Sequence, residues 1–297
     1  MTLSKGSLFD AKLVTDLVNK VKGKSSLAVM SNQTPIPFNG SKEFTFTMDS
    51  EIDVVAENGA KSHGGVTIEP QTIVPLKVEY GARVSDEFMY GSEEAQVEIL
   101  KAFNDGFARK IARGLDLMAF HGINPRSGAA STVIGANHFD SKVSQTVVYD
   151  AANPDSNIDA GVALVQGSGG VVSGLIMSPL LSSALAAMRT GDTNNVRLFP
   201  ELAWGANPGA LNGLKTDIND TVNNATVKDR AILGDFENNF KWGYAKEVPL
   251  DIIEYGDPDN SGQDLKGYNQ IYIRAELYLG WGIMDATSFA RVVDTSI

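Results

Sequence analysis

FTFTMDSEIDVVAENGAKSHGG, Phe44 to Gly65, and SEEAQVEILKAFNDGFARKIARGLDLMAFH, Ser92 to His121, are the stretches whose reading decides the fold. In the first, Phe44, Phe46 and Met48 alternate with threonines. Between the two, Leu76, Val78, Tyr80, Ala82 and Val84 alternate with polar residues, so both runs predict half-buried strands with a period of two. Glu57 to Gly65, ENGAKSHGG, is a turn-rich tip. An extended arm from Phe44 to Ala56 would reach roughly 40 Å at about 3.3 Å per residue, and a lone two-stranded ribbon of that kind is marginal in water. The returning arm carries Pro70 and Pro75, which donate no ladder hydrogen bonds and confine it to an edge or break it. The ribbon is therefore expected to lie on another chain.

Val97, Leu100, Phe103, Phe107, Ile111, Leu115 and Met118 recur at spacings of three and four, with Glu93, Glu94, Glu98, Lys101, Asp105, Arg109, Arg113 and Asp116 on the opposite side. This predicts one helix from an N-cap at Ser92 to His121, roughly 45 Å long at 1.5 Å per residue. Its early acids and late arginines complement the helix dipole. Gly106 and Gly114 each weaken it by about 1 kcal/mol relative to alanine, marking a bend, a close crossing, or a division into two shorter helices.

The 297 residues suffice for one large or two ordinary domains. Without cysteine there is no disulfide frame, thiolate metal site or cysteine nucleophile. No run approaches the roughly 20 apolar residues that span a bilayer, and the amino terminus lacks a signal-peptide core, so a soluble protein made in the cytoplasm is expected. The net charge of −11 has the wrong sign for tight nucleic-acid binding. Lys20, Lys22 and Lys24, the densest basic run, read as a solvated helix end.

Leu8 to Val21 predicts a short amphipathic helix. After the long helix, Gly122 to Asn137 is rich in Gly, Asn and Ser, Lys142 to Tyr149 is strand-like, and a domain boundary falls near residue 150. Beyond it, Ile158 to Gln166 predicts a helix, Val171 to Met177 a buried strand, and Ser178-Pro179 the start of a helix ending at Gly191. Strands follow at Ala231 to Leu233, Phe240 to Ala245, Pro249 to Tyr255 and Gln270 to Leu279, the last preceded by a polar loop, Gly256 to Gly267. The class is α+β.

Motifs that carry chemistry are wanting. His63, His121 and His138 stand far apart without metal-ligand spacing and read as solvent-facing loop or helix-end residues. Gly167 to Gly170 follows a helix and precedes a strand, the reverse of a phosphate-cradling loop. Asp257 to Gly262, DPDNSG, matches the first half of a calcium loop, but its twelfth position is Tyr268 and not a bidentate glutamate, which favours a solvated loop or an acidic loop facing a partner. No Gly-x-Ser-x-Gly occurs. No catalytic, cofactor or metal residue is assigned, and no enzyme is expected.

The order of parts resembles the major capsid proteins of tailed bacteriophages, the Hong Kong 97-type fold. The resemblance rests on IPFNGSKEFTFTMDSEIDVVAENGAKS (Ile36 to Ser62), KVEYGARVSDEFMY (Lys77 to Tyr90), FENNFKWGYAKEVPLDIIEYGDPDN (Phe236 to Asn260) and NQIYIRAELYLGWGIMDATSFARV (Asn269 to Val292). It implies an N-arm at 1–38, an E-loop ribbon at 39–80, a peripheral domain with the spine helix at 81–149, an axial domain at 150–245, and a return to the peripheral domain at 246–297. It further implies a homo-oligomer of hexamers and pentamers, an icosahedral shell around double-stranded DNA that is not bound by sequence. Scaffold, portal and decoration proteins are possible partners, and assembly takes place in the host cytoplasm. The short arm implies either a chain already processed and renumbered or scaffolding that is separate or unnecessary, the second being the expectation. Contact candidates are Asn58, Gly59, Lys61 and His63 at the tip, and Asp257, Asp259, Asn260 and Tyr268 in the loop. Some members join an E-loop lysine to a peripheral asparagine with help from a glutamate; Lys61 is the only obvious lysine, with Asn260 or Asn269 as acceptor, and no cross-link is expected. The rival readings are an encapsulin-like nanocompartment shell and a surface carbohydrate-binding protein using the Asp257 loop with Trp204 or Trp242.

Overall fold

A computed structural model describes residues 25–295 except 49, 92, 192–194 and 225–227. The helix expected at Leu8 to Val21, the lysines at 20, 22 and 24, and the Ser92 cap lie outside the described residues. The described chain opens with α1 (Ser26–Met30), capped by Ser25, whose side chain accepts from the Ala28 amide. Two antiparallel strands, β1 (Ser41–Met48) and β2 (Val66–Ile73), form a ribbon; β3 (Leu76–Ser85) and a 3-10 turn lead into α2 (Glu93–His121). Then come α3 (Phe139–Lys142), β4 (Thr146–Val148), α4 (Pro154–Gly167), β5 (Gly174–Met177) and α5 (Pro179–Ala187). A 3-10 segment at Pro200–Gly205, β6 (Ala210–Leu211), β7 (Leu214–Ile218), a 3-10 turn at Asp220–Val222, β8 (Asp229–Gly234) and α6 (Phe236–Asn239) follow. The long strands β9 (Phe240–Ile253) and β10 (Gln270–Ile283) and the short β11 (Phe289–Val293) end it.

The ribbon pairing differs from the expectation. β1 pairs with β2, whereas β3, the alternating run from Leu76, pairs with β10 in a three-stranded sheet ordered β3-β10-β9. Both proline effects occur: Pro70 sits opposite Phe44 in a two-stranded ribbon where every strand is an edge, and Pro75 falls at the break between β2 and β3. β9 is one strand where two had been expected, its irregularities absorbed as register shifts against β10.

A six-stranded sheet, ordered β4-β11-β8-β5-β7-β6, is covered on both faces. Period-two alternation distributes its residues: Ile176, Ile232 and Phe289 enter the core beneath α2, while Leu175, Met177, Ala231, Leu233, Ala290 and Val292 enter a second core with α4 and α5. All six residues of β8 are buried. The first core also holds Trp242 and Trp281, and the Trp281 indole donates to the Asn137 carbonyl at 2.9 Å while the Asn137 amide donates back to Trp281 O at 2.9 Å.

α2 is continuous through Gly106 and Gly114, about 43 Å long at 1.5 Å per residue. Its apolar stripe holds from Leu100 onward, but Val97 is exposed. Asp116, placed on the polar side by sequence, is buried. The stretch after β5 also differs at its ends: β5 starts at Gly174, α4 starts at Pro154, and α5 stops at Ala187.

Candidate functional site

The register puts Phe44, Met48, Val66 and Ile68 on one face of the ribbon, since directly opposed residues share a side. Phe44 is 63 % exposed, Met48 77 %, and beyond the strand Ile52 and Val54 are 95 % and 93 % exposed. The alternation is as read, but the face expected to be half-buried is bare, because none of the described residues covers it. The ribbon's root is firm: Ile73 is buried, Lys241 pairs with Glu43, and Lys142 Nζ donates to Gln71 Oε1 at 3.1 Å. Burial lowers the pKa of Lys142. At the far end Asn58, Gly59, Lys61 and His63 are all exposed, with Asn58 left-handed (φ 64°) and Gly59 N donating to Ala56 O at 2.8 Å.

The other four candidates lie on a separate element, the connection between β9 and β10. Asp257 and Asp259 meet the guanidinium of Arg83 from β3, and Asn260, next to them in the chain, forms a left-handed turn at φ 52°. Tyr268 is exposed beyond the loop. The loop closes on itself through Leu265 N to Gly256 O at 2.9 Å, and Leu265 is buried. Arg83 holds the Asp259 carboxyl well below the usual carboxylate range by hydrogen bonding and charge. Among the described residues, no group of three or more His, Cys, Asp or Glu could hold a metal ion.

Sequence reasoning missed the polar core that fixes α2 to its surroundings. Asp116 accepts from Ser25 Oγ (2.5 Å), Ser26 N (3.0 Å), Leu27 N (3.3 Å), Asn219 Nδ2 (2.8 Å) and Thr221 Oγ1 (3.4 Å), so a single carboxylate pins α1 and the 220–222 turn to the helix. Burial pushes its pKa up to about 7 against these donors. The available signal was Ala108, Ala112 and Ala119, small residues on the same helical face that are fully buried beside it. One turn on, His121 Nδ1 meets Asp140 Oδ2 at 2.8 Å and Nε2 meets the Thr221 carbonyl at 2.8 Å. A carbonyl and a carboxylate both accept, so these partners favour the protonated ring, which donates from both nitrogens. Burial opposes that charge, but Asp140 and Thr221 O raise the pKa above its ordinary value. Arg291 joins the cluster, bonded to Asp229 through Nε (2.8 Å) and Nη2 (2.9 Å) and paired with Asp140. His121 is thus a helix-end residue as expected, but a buried one.

Of the tryptophans, Trp242 is fully buried and Trp204 is 94 % exposed in a left-handed backbone (φ 63°), with the Arg197 guanidinium 5.6 Å over its ring. Among the described residues, no helix is long and apolar enough to cross a membrane.

No family model matches the chain, and no curated protein matches it in sequence. Solved structures do. A chain of "Mycobacterium phage Ogopogo" is 31 % identical, with 92 % of each chain covered and a TM-score of 0.77. One of "Gordonia phage Cozz" is 23 % identical over 92 % of this chain and 87 % of its own, with a TM-score of 0.75. The "Capsid of empty GTA particle computed with C5 symmetry" is 16 % identical over 92 % and 90 %, with a TM-score of 0.65.

Proposed function

The chain belongs to the major capsid proteins of tailed bacteriophages, with the Hong Kong 97-type fold, and from that premise we propose how it builds the phage head shell of which it is the structural subunit. The observation that carries the proposal is the bare apolar face of the ribbon. A face of Phe44, Met48, Val66 and Ile68 with a firm root and no cover among the described residues is a strand pair shaped to lie on an adjacent copy. Copies close into hexamers and pentamers of an icosahedral shell. Residues 39–80 act as the E-loop, 1–38 as the N-arm, 81–149 and 246–297 as the peripheral domain and 150–245 as the axial domain.

In this arrangement Asn58, Gly59, Lys61 and His63 meet a neighbour at the ribbon tip, and Asp257, Asp259, Asn260 and Tyr268 do so at the loop. No enzymatic step and no covalent link at Lys61 is part of the proposal. The shell encloses double-stranded DNA without reading its sequence, consistent with the net charge of −11. Its place is the virion capsid, assembled in the host cytoplasm with portal, scaffold or decoration proteins as separate partners. The carbohydrate-binding reading loses Trp242, which is core, and the Asp257 loop, which Arg83 occupies, and keeps only the exposed Trp204.

Electron microscopy of the purified chain with a mass distribution tests the proposal. Closed shells, or capsomers that convert into them, are expected; a monomer that never assembles, even with a scaffold supplied, would refute it. Protein cargo in place of nucleic acid inside particles from the native source would favour the nanocompartment.

A further inference from the structure

The loop between β9 and β10 contains an arrangement that neither the shell role nor the sequence pattern explains. Arg83 comes from β3, more than 170 residues earlier in the chain, and is largely buried under the loop, its side chain 14 % exposed. Its Nη2 faces Asp257 Oδ1 at 2.7 Å, Asp259 Oδ1 at 2.5 Å, Ser261 Oγ at 2.5 Å and the Gln263 carbonyl at 2.9 Å. Nε adds Asp259 at 3.0 and 3.1 Å, and Nη1 adds Gln270 Oε1 at 3.2 Å. One Nη2 carries two hydrogens, so it cannot donate a directed bond to four oxygens at once. Its two hydrogens are shared in bifurcated bonds, so what the four oxygens have in common is the guanidinium's positive charge.

The four oxygens also have an order. Asp257, Asp259, Ser261 and the backbone carbonyl of Gln263 are positions one, three, five and seven of a calcium loop, and Gly262 stands at position six with φ 81°. Asp257 further accepts from Ser261 N (2.9 Å) and Gly262 N (2.7 Å), which curls the loop around the charge. The acid a calcium loop needs at position twelve is missing: Tyr268 is there, and exposed. A charge delivered by the protein itself removes the need for that ligand.

We propose that the Arg83 guanidinium is a tethered substitute for a metal cation, and that it sets the 256–267 loop in the one shape in which it meets neighbouring copies of the chain. The first half stands on this chain alone; the second rests on the shell reading. The consequence is a loop that is ordered without metal and coupled mechanically to β3, the strand into which the ribbon leads.

The test uses the full-length chain, first unassembled. Amide hydrogen exchange over residues 257–263 is measured in the native protein, in Arg83→Gln, and in Arg83→Gln combined with Asp257→Asn, each with a chelator, with calcium and with magnesium at about millimolar levels, the range of weak loops. The native loop is protected and indifferent to all three additions. Arg83→Gln exchanges about tenfold faster or more there, with β9 and β10 unchanged elsewhere. Calcium restores protection, magnesium, which demands a tighter octahedron, does not, and the double variant does not respond. A loop as protected in Arg83→Gln as in the native chain, a native loop that loosens in chelator, or an Arg83→Gln loop that calcium leaves loose would overturn the substitution. Asp259→Asn, which leaves β3 intact, loosens the same segment by a smaller factor and guards against misfolding of the arginine variant. Particle formation tests the second half: Arg83→Gln assembles only with calcium, whereas normal particles from it in chelator would overturn the coupling to assembly. If the native chain forms no particles at all, the shell reading falls and the exchange data still decide the role of Arg83.

Discussion

Two long antiparallel strand pairs in this chain are written in similar alternating sequence and have opposite fates. β9 and β10, 14 residues each, bury Trp242, Leu277, Leu279, Trp281 and Ile283 beneath α2. β1 and β2, eight residues each, present Phe44, Met48, Val66 and Ile68 to solvent. Alternation states that one face is meant to be covered and is silent on whether the cover comes from the same chain. In the first pair, α2 and the N-terminal segment supply it: Thr34 N donates to Trp242 O at 2.8 Å and Ile36 N to Tyr244 O at 3.3 Å. In the second, no described residue supplies it. Stability of the chain is therefore stored in the first pair, and on the proposed shell reading competence to assemble is stored in the second.

The comparison breaks most readily at its buried end. Trp281→Ala removes the largest class of core side chain and orphans the Asn137 carbonyl, and should cost about 3–5 kcal/mol in chemical denaturation of the unassembled chain. Asp229→Asn leaves the Arg291 guanidinium buried with half its partner gone; a loss of about 3 kcal/mol is expected from the same measurement. Gly243→Ala should cost about 1–3 kcal/mol by overpacking, because a Cβ there would stand 1.8 Å from Thr34 O and drive the N-terminal segment off β9. Faster exchange at the Thr34 and Ile36 amides would locate the damage; unchanged exchange would show that the segment does not help to cover the sheet.

A smaller effect follows from protons. The folded-state pKa values of His121 and Asp116 are both raised, so the stability they contribute is complete below their unfolded values and is lost as pH rises through the folded ones. For Asp116 that window opens at the ordinary value of 3.8 and closes at about 7. Around His121 the groups that set its charge are Asp140, the Thr221 carbonyl and Asp229, with His138 coupled to it. The melting temperature should decline from pH 6 to pH 8, and His121→Gln should flatten that slope; an equal slope in the variant would remove His121 from the account.

At the other end, Phe44→Ser with Ile68→Ser should change the stability of the unassembled chain by no more than about 0.5 kcal/mol while preventing shell formation. Equal damage to folding would mean that the ribbon belongs to the core after all and that the contrast is false.

From the sequence alone came the strands at β1 and β10, the long helix, the acidic loop and the order in which they occur, because each is written in local periodicity or turn chemistry that backbone geometry must obey. The apolar stripe of α2 from Leu100 to Met118 was legible for the same reason. Which strand the returning arm joins was decided by tertiary structure: Leu76 to Val84 alternates equally well against β1 or β10, and only packing on α2 favours β10. Burial of Asp116 was hidden because a carboxylate normally marks the solvent side, and the donors that reverse this come from residues 25–27 and 219–221. Arg83 was hidden too. A cation for the 257–263 loop was sought within the loop's own spacing, whereas the fold brings it from a strand more than 170 residues away. Local pattern is encoded by neighbours along the chain; partnership across it is settled by which surfaces the folded chain can bring together.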